Sequence, residues 1–314
     1  AMGGDCGYYP QWVDNTRAYL NDPSHSDVNV IIWSWCGQHA GYSEQDMLDM
    51  YLNPMAQLEN DYPDVKFVYM TGHLTYWSIE NCNARNQQIR DFCLENNKIL
   101  FDFAHIESFD PDRTFFPYAN DDCSFWNANG TQLGNWATNW QNSHVLGVDW
   151  YSCSSAHSQP LNANQKAYAI WWLWARLAGW SGPAAQPLAE HTPKIPASIG
   201  WKIQLDLDAG ASNAGRTYLV LGSASGTTPG MALPGGMVTL PINWDVFTDL
   251  ITVTLNTPLF AQFMGTLNTS GRSWAQIGTG PLAPSTAGTV LHFAYTMNFP
   301  FNFVSNPVEI EIIP

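Results

Sequence analysis

The stretch VNVIIWSW, residues 28–35, is the strongest indication of fold in this sequence. It is a short apolar run bounded by polar neighbours, which is typical of a strand that is buried on both faces. Three further runs of the same kind follow: VKFVYMTG at residues 65–72, KILFDFA at residues 98–104 and HVLGVDWY at residues 144–151.

Helical patterns separate these runs. Residues 43–62 and 84–97 have helical spacing, and the first begins at Ser43 followed by acidic residues, as a helix N-terminus prefers. Because alternating strands and helices imply parallel crossover connections, we predict an α/β fold with a three-layer αβα parallel sheet.

The pattern changes near residue 181. Residues 181–198, SGPAAQPLAEHTPKIPAS, contain four prolines and no periodicity. Short alternating runs follow, among them RTYLVLGSA (216–224), LITVTLN (250–256) and TVLHFAYTM (289–297). We therefore predict an α/β domain with disulfides at residues 1–182, a Pro-rich linker at 183–198 and an all-β sandwich accessory domain at 199–314.

Composition excludes several kinds of partner. The chain has 314 residues, with 12 Lys and Arg against 27 Asp and Glu, and a net charge of −15 that would repel a nucleic acid. Its most apolar segment, residues 167–180, is interrupted by Arg176 and is shorter than the ~20 residues of a membrane span. It predicts a core helix with Trp171, Trp172 and Trp174 buried, and no membrane partner.

The cysteines and the overall composition favour export. All six cysteines lie in the first half and none forms a CxxC pair, which argues against structural zinc and for disulfides in an oxidising compartment. Cys82 and Cys93 are not expected to pair with each other, because one helix would hold them about 16 Å apart. With little lysine and much Trp, Asn, Gly and Thr, the chain is predicted to be secreted or periplasmic, with any signal peptide already removed.

Four histidines follow the predicted strands. His39, His73, His105 and His157 each lie just beyond the carboxyl end of one strand, the edge at which parallel α/β sheets bind ligands. Three or four of them together would suit a metal site, whereas a hydrolytic site needs only one as a base. The remaining alternative is that at least two are ordinary hydrogen-bonded loop residues.

Residues 28–180 resemble the SGNH (GDSL-like) hydrolases. The succession of strands and helices is similar to the later blocks of that family, and AHSQPLNANQKAYA (156–169) is similar to its His-Pro-Asn helix entry. The resemblance implies ester hydrolysis without a cofactor, for example deacylation of a carbohydrate, with His157 as the catalytic base.

The chain departs from that family at three places. Ser154 replaces the Asp that orients the histidine, so the resemblance leaves Asp149 or Asp102 for that role. The Gly-x-Asn-Asp block is replaced by WSWCGQ, in which Gln38 can donate an oxyanion hydrogen bond. The Gly-Asp-Ser turn is replaced by GGDC without a preceding strand, so the nucleophile is unidentified, and Cys6 is expected to be a disulfide partner.

Aromatic side chains indicate a sugar ligand. Residues 123–144 form a long predicted loop rich in Trp, Asn and Gln, and long irregular loops are commonly functional. Flat rings beside amide groups suit stacking and hydrogen bonding to saccharides. We assign Trp77, Trp126, Trp136 and Trp140, with His39, His73 and His105, to substrate binding; the alternative is that the indoles only pin the loop.

The sequence thus predicts a secreted, SGNH-type ester hydrolase acting on a polysaccharide or a small ester, with no cofactor and no metal. Its catalytic residues would be His157, Asp149, Asp102 and Gln38. One alternative is a non-catalytic carbohydrate- or surface-binding protein. A second alternative is a metal-dependent enzyme using some of the four histidines. The C-terminal β-domain resembles those of large secreted bacterial proteins.

Overall fold

The computed structural model describes residues 2–180, 182, 186–198 and 201–314, and the chain divides into two compact units. The first contains residues 1–109 and 116–180, and the second contains residues 110–115 and 181–314. Of the predicted linker and sandwich, residues 183–185, 199 and 200 lie outside the described residues.

The first unit contains a small parallel sheet surrounded by helices. Its helices are α1 (Gln11–Asn21), α2 (Glu44–Met47), α3 (Asn53–Asp61), α4 (Ile79–Glu95), α5 (Phe103–Glu107), α6 (Trp136–Ser143) and α7 (Pro160–Leu177). Its strands are β1 (Val30–Ile32), β2 (Lys66–Met70), β3 (Ile99–Phe101), β4 (Ser124–Trp126) and β5 (Gln132–Asn135). A π-helical turn, Leu48–Leu52, joins α2 to α3, so the helix predicted at 43–62 is present with a local change of pitch.

Side chains that alternate along the strands of the parallel sheet contribute to two separate hydrophobic clusters. The sheet has the order β1-β2-β3, with Ile31 opposite Phe67 and Val68 opposite Ile99. One set of alternate side chains packs with α1, α3 and α4, and the other set packs with α7, because successive strand residues point to opposite faces. Burial on both faces explains why these strands read as continuous apolar runs.

The predicted three-layer αβα, SGNH-like parallel sheet is wrong. Among the described residues the parallel sheet has three strands, and residues 144–151, expected as the fourth, form an exposed turn. Gly147 has φ +83°, and the backbone N–H of Asp149 donates to the carbonyl of Val145. This turn bends the apolar run back on itself, so it has no extended stretch that could join the sheet.

The long apolar helix covers the sheet with one face only. Leu173 of α7 is buried against the sheet and Trp174 packs beside it, but Trp171 is 72% exposed and Trp172 is also exposed. The prediction that all three tryptophans are core residues is therefore wrong for two of them. No helix in the described part of the chain has the length and apolar character needed to cross a membrane.

The second unit is rich in β-structure. Its strands are β6 (Leu188–Glu190), β7 (Lys194–Pro196), β8 (Trp201–Asp208), β9 (Thr217–Ser223), β10 (Met231–Ala232), β11 (Thr239–Leu240), β12 (Phe260–Ala261), β13 (Met264–Thr266), β14 (Arg272–Thr279), β15 (Val290–Met297) and β16 (Val308–Ile313). Two larger sheets, β12-β14-β8-β6 and β13-β9-β15-β16-β7, contribute to a single core, which is consistent with the predicted sandwich.

Two predictions within this unit need correction. The segment predicted as a linker contains β6 and β7, which pair with β8 and β16. The run predicted as a strand at 250–256 instead forms much of α8 (Val246–Val253). Asp245 caps this helix by accepting hydrogen bonds from the N–H groups of Phe247 and Thr248, and this capping box outweighs the β-propensity of the run.

Candidate functional site

At the carboxyl ends of β1 and β2, two loops that are distant along the sequence lie close together. The loop after β1 carries Gly37, Gln38 and His39, and the loop after β2 carries His73. Three glycines make room for polar side chains here, since a Cβ at any of them would meet a neighbouring side chain. The pairs are Gly7 with Gln38 at 2.2 Å, Gly72 with His39 at 2.0 Å and Gly37 with His73 at 3.1 Å.

His39 is buried beneath this edge. Its Nε2 lies 3.5 Å from the Sγ of Cys82, and its ring packs against Trp35. Burial, with a smaller contribution from nearby His73, lowers the pKa of His39 to about 3. Burial also raises the pKa of the Cys82 thiol to about 11. The two groups are therefore neutral near pH 7, and their burial gives them a structural role instead of contact with a ligand.

His73 is the histidine that this edge presents to solvent. Its Nδ1 donates a hydrogen bond of 2.9 Å to the carbonyl of Leu74, which leaves Nε2 as the acceptor nitrogen, facing Gly37. The carboxylate Oδ2 of Asp121 lies 3.8 Å from the same Nδ1. His73 thus has a defined tautomer and orientation at a partly exposed position.

Gln38 is held by the N-terminal segment. Its Nε2 donates to the Oδ1 of Asp5 at 3.0 Å, and its Oε1 accepts from the backbone N–H of Cys36 at 3.0 Å. The amide that the sequence assigns to an oxyanion hole is therefore engaged within the loop.

Three aromatic rings continue the edge beyond His73. Tyr76 stacks on Trp126 with centroids 4.0 Å apart and planes 12° apart, and Trp77 meets Tyr76 edge-on at 5.7 Å. The backbone N–H of Tyr76 donates to the Oδ1 of Asn120, which ties this group to the loop before β4. We call Tyr76, Trp77 and Trp126 the aromatic shelf. Trp77, the last ring of the shelf, is 86% exposed.

A buried ion pair holds the loop that carries the shelf. Glu107 is 1% exposed, its Oε1 lies 2.6 Å from the Nζ of Lys166, and its Oε2 accepts a hydrogen bond of 2.7 Å from the N–H of Leu74. Lys166 also lies 3.9 Å from the centroid of the Phe103 ring. Helices α5 and α7 are thereby connected to the loop between β2 and α4.

The two carboxylates that were predicted to be catalytic, Asp102 and Asp149, are engaged in other interactions. Asp102 forms a two-pronged ion pair with Arg90, at 2.6 and 2.9 Å, and accepts a hydrogen bond from Thr71. Asp149 accepts from the N–H of Val145 within its own turn. Both carboxylates stabilise the fold where they stand.

His157 is exposed, in a turn before α7 with φ +56°. Within the described part of the chain its side chain has no hydrogen bond or ion pair, and none links it to Asp149, Asp102 or Gln38. The proposed catalytic group is thus not assembled around His157. Ester hydrolysis stays a prediction.

The other residues assigned to substrate binding are buried or pack against another aromatic ring. His105 packs on Phe109 at 4.4 Å, and Trp140 stacks on His144 at 3.5 Å. Trp136 is buried against Phe116. The structure therefore brings together His73, Trp77 and Trp126 among the assigned binding residues, with His39 buried beneath them.

The described residues contain no group of three or more His, Cys, Asp or Glu side chains arranged to hold a metal ion. The four loop histidines therefore do not converge as the metal-site alternative requires. The rings of His39 and His73 approach each other to 6.3 Å.

All six cysteines carry free thiols in this structure, so the predicted disulfides are not formed. Cys6, Cys82, Cys93 and Cys123 are buried, and Cys36 and Cys153 are exposed. Cys6 packs in the first unit's core with its Sγ 2.9 Å from the carbonyl of Ser34. Burial raises its pKa, so it is held as a neutral core thiol.

The sequence did not assign Tyr76, Asp121, Glu107 or Lys166 to the site. The motif LTYWS at 74–78 contained a signal for the shelf, since Tyr76 stands beside Trp77 immediately after a strand. No local pattern indicates the pairing of Glu107 with Lys166, because 59 residues separate them along the chain.

No family model matches this chain, and no curated protein matches it. Among solved structures, the Pseudomonas aeruginosa CupB2 chaperone is 10% identical with a TM-score of 0.24, over 38% of this chain and 51% of that chain. WR4, a C. elegans MSP family member, is 10% identical with a TM-score of 0.23, over 41% and 98%. The E. coli chaperone DraB is 11% identical with a TM-score of 0.22, over 41% and 55%. This chain spans about half the length of the two chaperones, and TM-scores this low do not define a shared fold.

Proposed function

We propose that this protein is a carbohydrate-binding protein whose ligand stacks on the aromatic shelf. The observation that carries the proposal is the exposure of Trp77, 86%, at the end of the ordered group that it forms with Tyr76 and Trp126. A large exposed ring costs solvation energy, and its retention beside polar groups is typical of a ligand site.

The shelf is pre-ordered for binding. Tyr76 is fixed by the stack with Trp126 and by the hydrogen bond from its backbone N–H to Asn120. The loop is fixed further by the bond from Leu74 N–H to Glu107. Because the segment that carries Trp77 is held in place, less conformational freedom is lost when a ligand stacks on its ring.

Polar groups lie beside the rings, as saccharide recognition requires. Asp121 and His73 border the shelf on the side of the sheet, and their side chains are partly exposed. A sugar that places one face on Trp77 would present its hydroxyls to these groups, so that apolar contact supplies affinity and hydrogen bonds supply orientation.

The proposal concerns binding without ester hydrolysis. His157 lacks the partners that a catalytic base needs: among the described residues no carboxylate orients it, and Gln38 is already bonded to Asp5. Chromogenic acetyl and butyryl esters test the ester hydrolase directly: turnover that is lost in His157→Ala would establish it.

The binding test compares two exposed tryptophans. A glycan array identifies ligands, and the affinity of the best soluble one is then measured by isothermal titration calorimetry for Trp77→Ala and for Trp171→Ala, whose indole is also exposed but lies on α7. We expect Trp77→Ala to weaken binding by about tenfold or more and Trp171→Ala to leave it unchanged. Equal affinity of Trp77→Ala and the unaltered protein would overturn the proposal, as would the absence of any glycan ligand.

A further inference from the structure

We propose that the saccharide bound at the aromatic shelf carries a protonated amine, which pairs with the carboxylate of Asp121. This inference rests on the proposed function and names its ligand class. It follows from the position of one carboxylate and from the charge of the segments that build the site.

Asp121 lies where the shelf meets the end of the sheet. Asn120 accepts a hydrogen bond from the N–H of Tyr76 at 3.0 Å, and its Nδ2 donates to the Oδ1 of Asp121 at 2.8 Å. On the other side, the Oδ2 of Asp121 lies 3.8 Å from His73 Nδ1. The carboxylate is thus connected to Tyr76 through one residue and is held in a defined orientation.

One oxygen of this carboxylate is open. The Oδ1 of Asp121 is occupied by Asn120, whereas its Oδ2 accepts no hydrogen bond from any described residue, since His73 Nδ1 is beyond hydrogen-bond distance and is directed to Leu74. The side chain is partly exposed. A charged acceptor oxygen in this setting gains from a cationic donor.

The neighbouring carboxylates are engaged in other hydrogen bonds. Asp5 accepts from Gln38 and from the N–H of Gly7, and Asp122 accepts from the N–H and the hydroxyl of Ser124. Both bonds to Asp5 reach its Oδ1, but Asp5 is tied to Gln38 and not to the shelf. Asp121 is therefore the carboxylate joined to the shelf, through Asn120, that keeps an oxygen free for a ligand.

No lysine or arginine in these segments pairs with Asp121, and its one titratable neighbour is His73, 3.8 Å away. Residues 1–9, 35–41, 71–79 and 119–131 contain three Asp and no Lys or Arg. Lys166, the ammonium group of the ion pair beneath the loop, is bound to Glu107. With a chain charge of −15, the site attracts a cationic ligand and repels an acidic glycan.

A sugar amine fits both features at once. Its ring presents C–H groups to the face of Trp77, while its ammonium group offers three N–H donors to an acceptor such as Asp121 Oδ2. A cation beside exposed indole is also attracted by the electron-rich ring face.

The test uses two oligosaccharides that differ in whether the 2-amino group of each sugar is free or acetylated. A β-1,4-linked glucosamine oligomer and its fully N-acetylated counterpart are titrated against the whole chain in slightly acidic buffer, where the free amines are protonated. We expect the amino form to bind about tenfold tighter or more, and we expect this preference to shrink as salt is added.

Two variants separate local charge from overall charge. Asp121→Asn keeps the acceptor for Asn120 and removes the charge, and it should abolish the preference for the amino form. Asp64→Asn is the matched control, because Asp64 is exposed just before the opposite end of β2, and it should preserve the preference. Unchanged melting temperatures show that both variants are folded.

The outcomes distinguish this inference from the proposed function. Equal affinity for the two oligomers, or a preference that survives Asp121→Asn, overturns the amine inference even where Trp77→Ala abolishes glycan binding. Binding of other glycans but of neither oligomer overturns it as well. If the Trp77→Ala protein binds glycans like the unaltered chain, both the proposed function and the amine inference are overturned.

Discussion

Glu107 and Lys166 form a buried ion pair, with 2.6 Å between Oε1 and Nζ, that also holds the backbone of Leu74. The pair lies under the loop that carries His73, Tyr76 and Trp77. Because the second oxygen of Glu107 accepts from the Leu74 N–H, the charge pair and the loop conformation depend on each other. This relationship connects the stability of the first unit to the geometry of the proposed site.

Breaking this pair is expected to be costly. Lys166→Met leaves the Glu107 carboxylate buried without a partner and should lower the free energy of unfolding by about 3–5 kcal/mol near neutral pH. Glu107→Gln should cost a similar amount, and the double variant should recover much of the loss because neither charge remains. Urea unfolding measures all three, with Arg17→Met as the control: its pair with Asp61 is partly exposed and is worth about 1 kcal/mol or less.

The cost of Lys166→Met should also depend on pH. Burial raises the pKa of Glu107, with Lys166 acting against it, so removing the ammonium group raises that pKa further. A carboxyl group whose pKa is higher in the folded state than in the unfolded state stabilises the fold increasingly as pH falls. The variant should therefore lose less stability in mildly acidic buffer than at neutral pH; a constant loss would contradict the assigned environment of Glu107.

Gly72→Ala should disrupt the buried histidine. A Cβ at Gly72 would lie 2.0 Å from the Cε1 of His39, and Asn86 bonds to both the N–H and the carbonyl of Gly72, so neither side can move away freely. We expect a loss of about 3 kcal/mol or more in urea unfolding. Gly41→Ala is the control, since no atom lies within 4 Å of its Cβ position, and its change should be about 0.5 kcal/mol or less. Similar small changes in both variants would argue against this packing of His39.

The free thiols should titrate in two groups. Cys36 and Cys153 are exposed and should react with Ellman's reagent in the native protein, whereas the other four cysteines are buried and should react only after unfolding. Burial also raises the pKa of the Cys82 and Cys123 thiols to about 11, which lowers their thiolate fraction. Fewer than six reactive thiols in denaturant without reductant would reveal disulfides and contradict the free state.

Asp245 should make the second unit sensitive to acid. Its burial alone would raise its pKa, but hydrogen bonds from Ser225, Thr248, Ser223 and Ala224 outweigh this and lower the pKa to about 2. A carboxylate with a lowered pKa contributes stability that is present above its unfolded pKa of about 4 and is lost as pH falls toward 2.

Asp245→Ala should remove this contribution. As a helix cap, its loss should cost about 1–2 kcal/mol at neutral pH and progressively less in acid. Thermal unfolding followed across this pH range gives the difference between variant and unaltered protein. The control is Asp249→Asn, at an exposed residue in the first turn of α8, which keeps an acceptor for Trp244 Nε1 and should cost less than Asp245→Ala. A difference for Asp245→Ala that does not narrow in acid would contradict the capping role.

Local patterns predicted the elements of the first unit well. The runs at 28–35, 65–72 and 98–104 all contain strands, and the helical spacing at 43–62 and 84–97 corresponds to real helices. They did so because burial on both faces and helical periodicity leave marks within a few residues. Of the residues assigned to substrate binding, His73, Trp77 and Trp126 lie near one another in the structure, whereas neither the approach of Asp121 to His73 nor the stack of Tyr76 on Trp126 was predicted.

The wrong strand predictions share one cause: the composition of a short apolar run does not determine which other residues it packs against. Residues 144–151 have the composition of a strand, yet Gly147 and the hydrogen bonds of Asp149 turn them outward. Residues 250–256 have β-propensity, yet the cap at Asp245 begins a helix just before them. In both places a backbone bond or a cap outweighed the preference of the side chains.

The sequence by itself determined the three short apolar strands of the first unit, the helices between them, the negative charge and the change of pattern near residue 181. Only the tertiary structure decided that His157 stands apart while His73, Asp121 and the aromatic shelf meet. It also decided that Glu107 pairs with Lys166 beneath them. Strand and helix periodicity is a property of neighbouring residues, whereas a binding site depends on contacts between residues that are distant along the chain, which only the packed fold brings together.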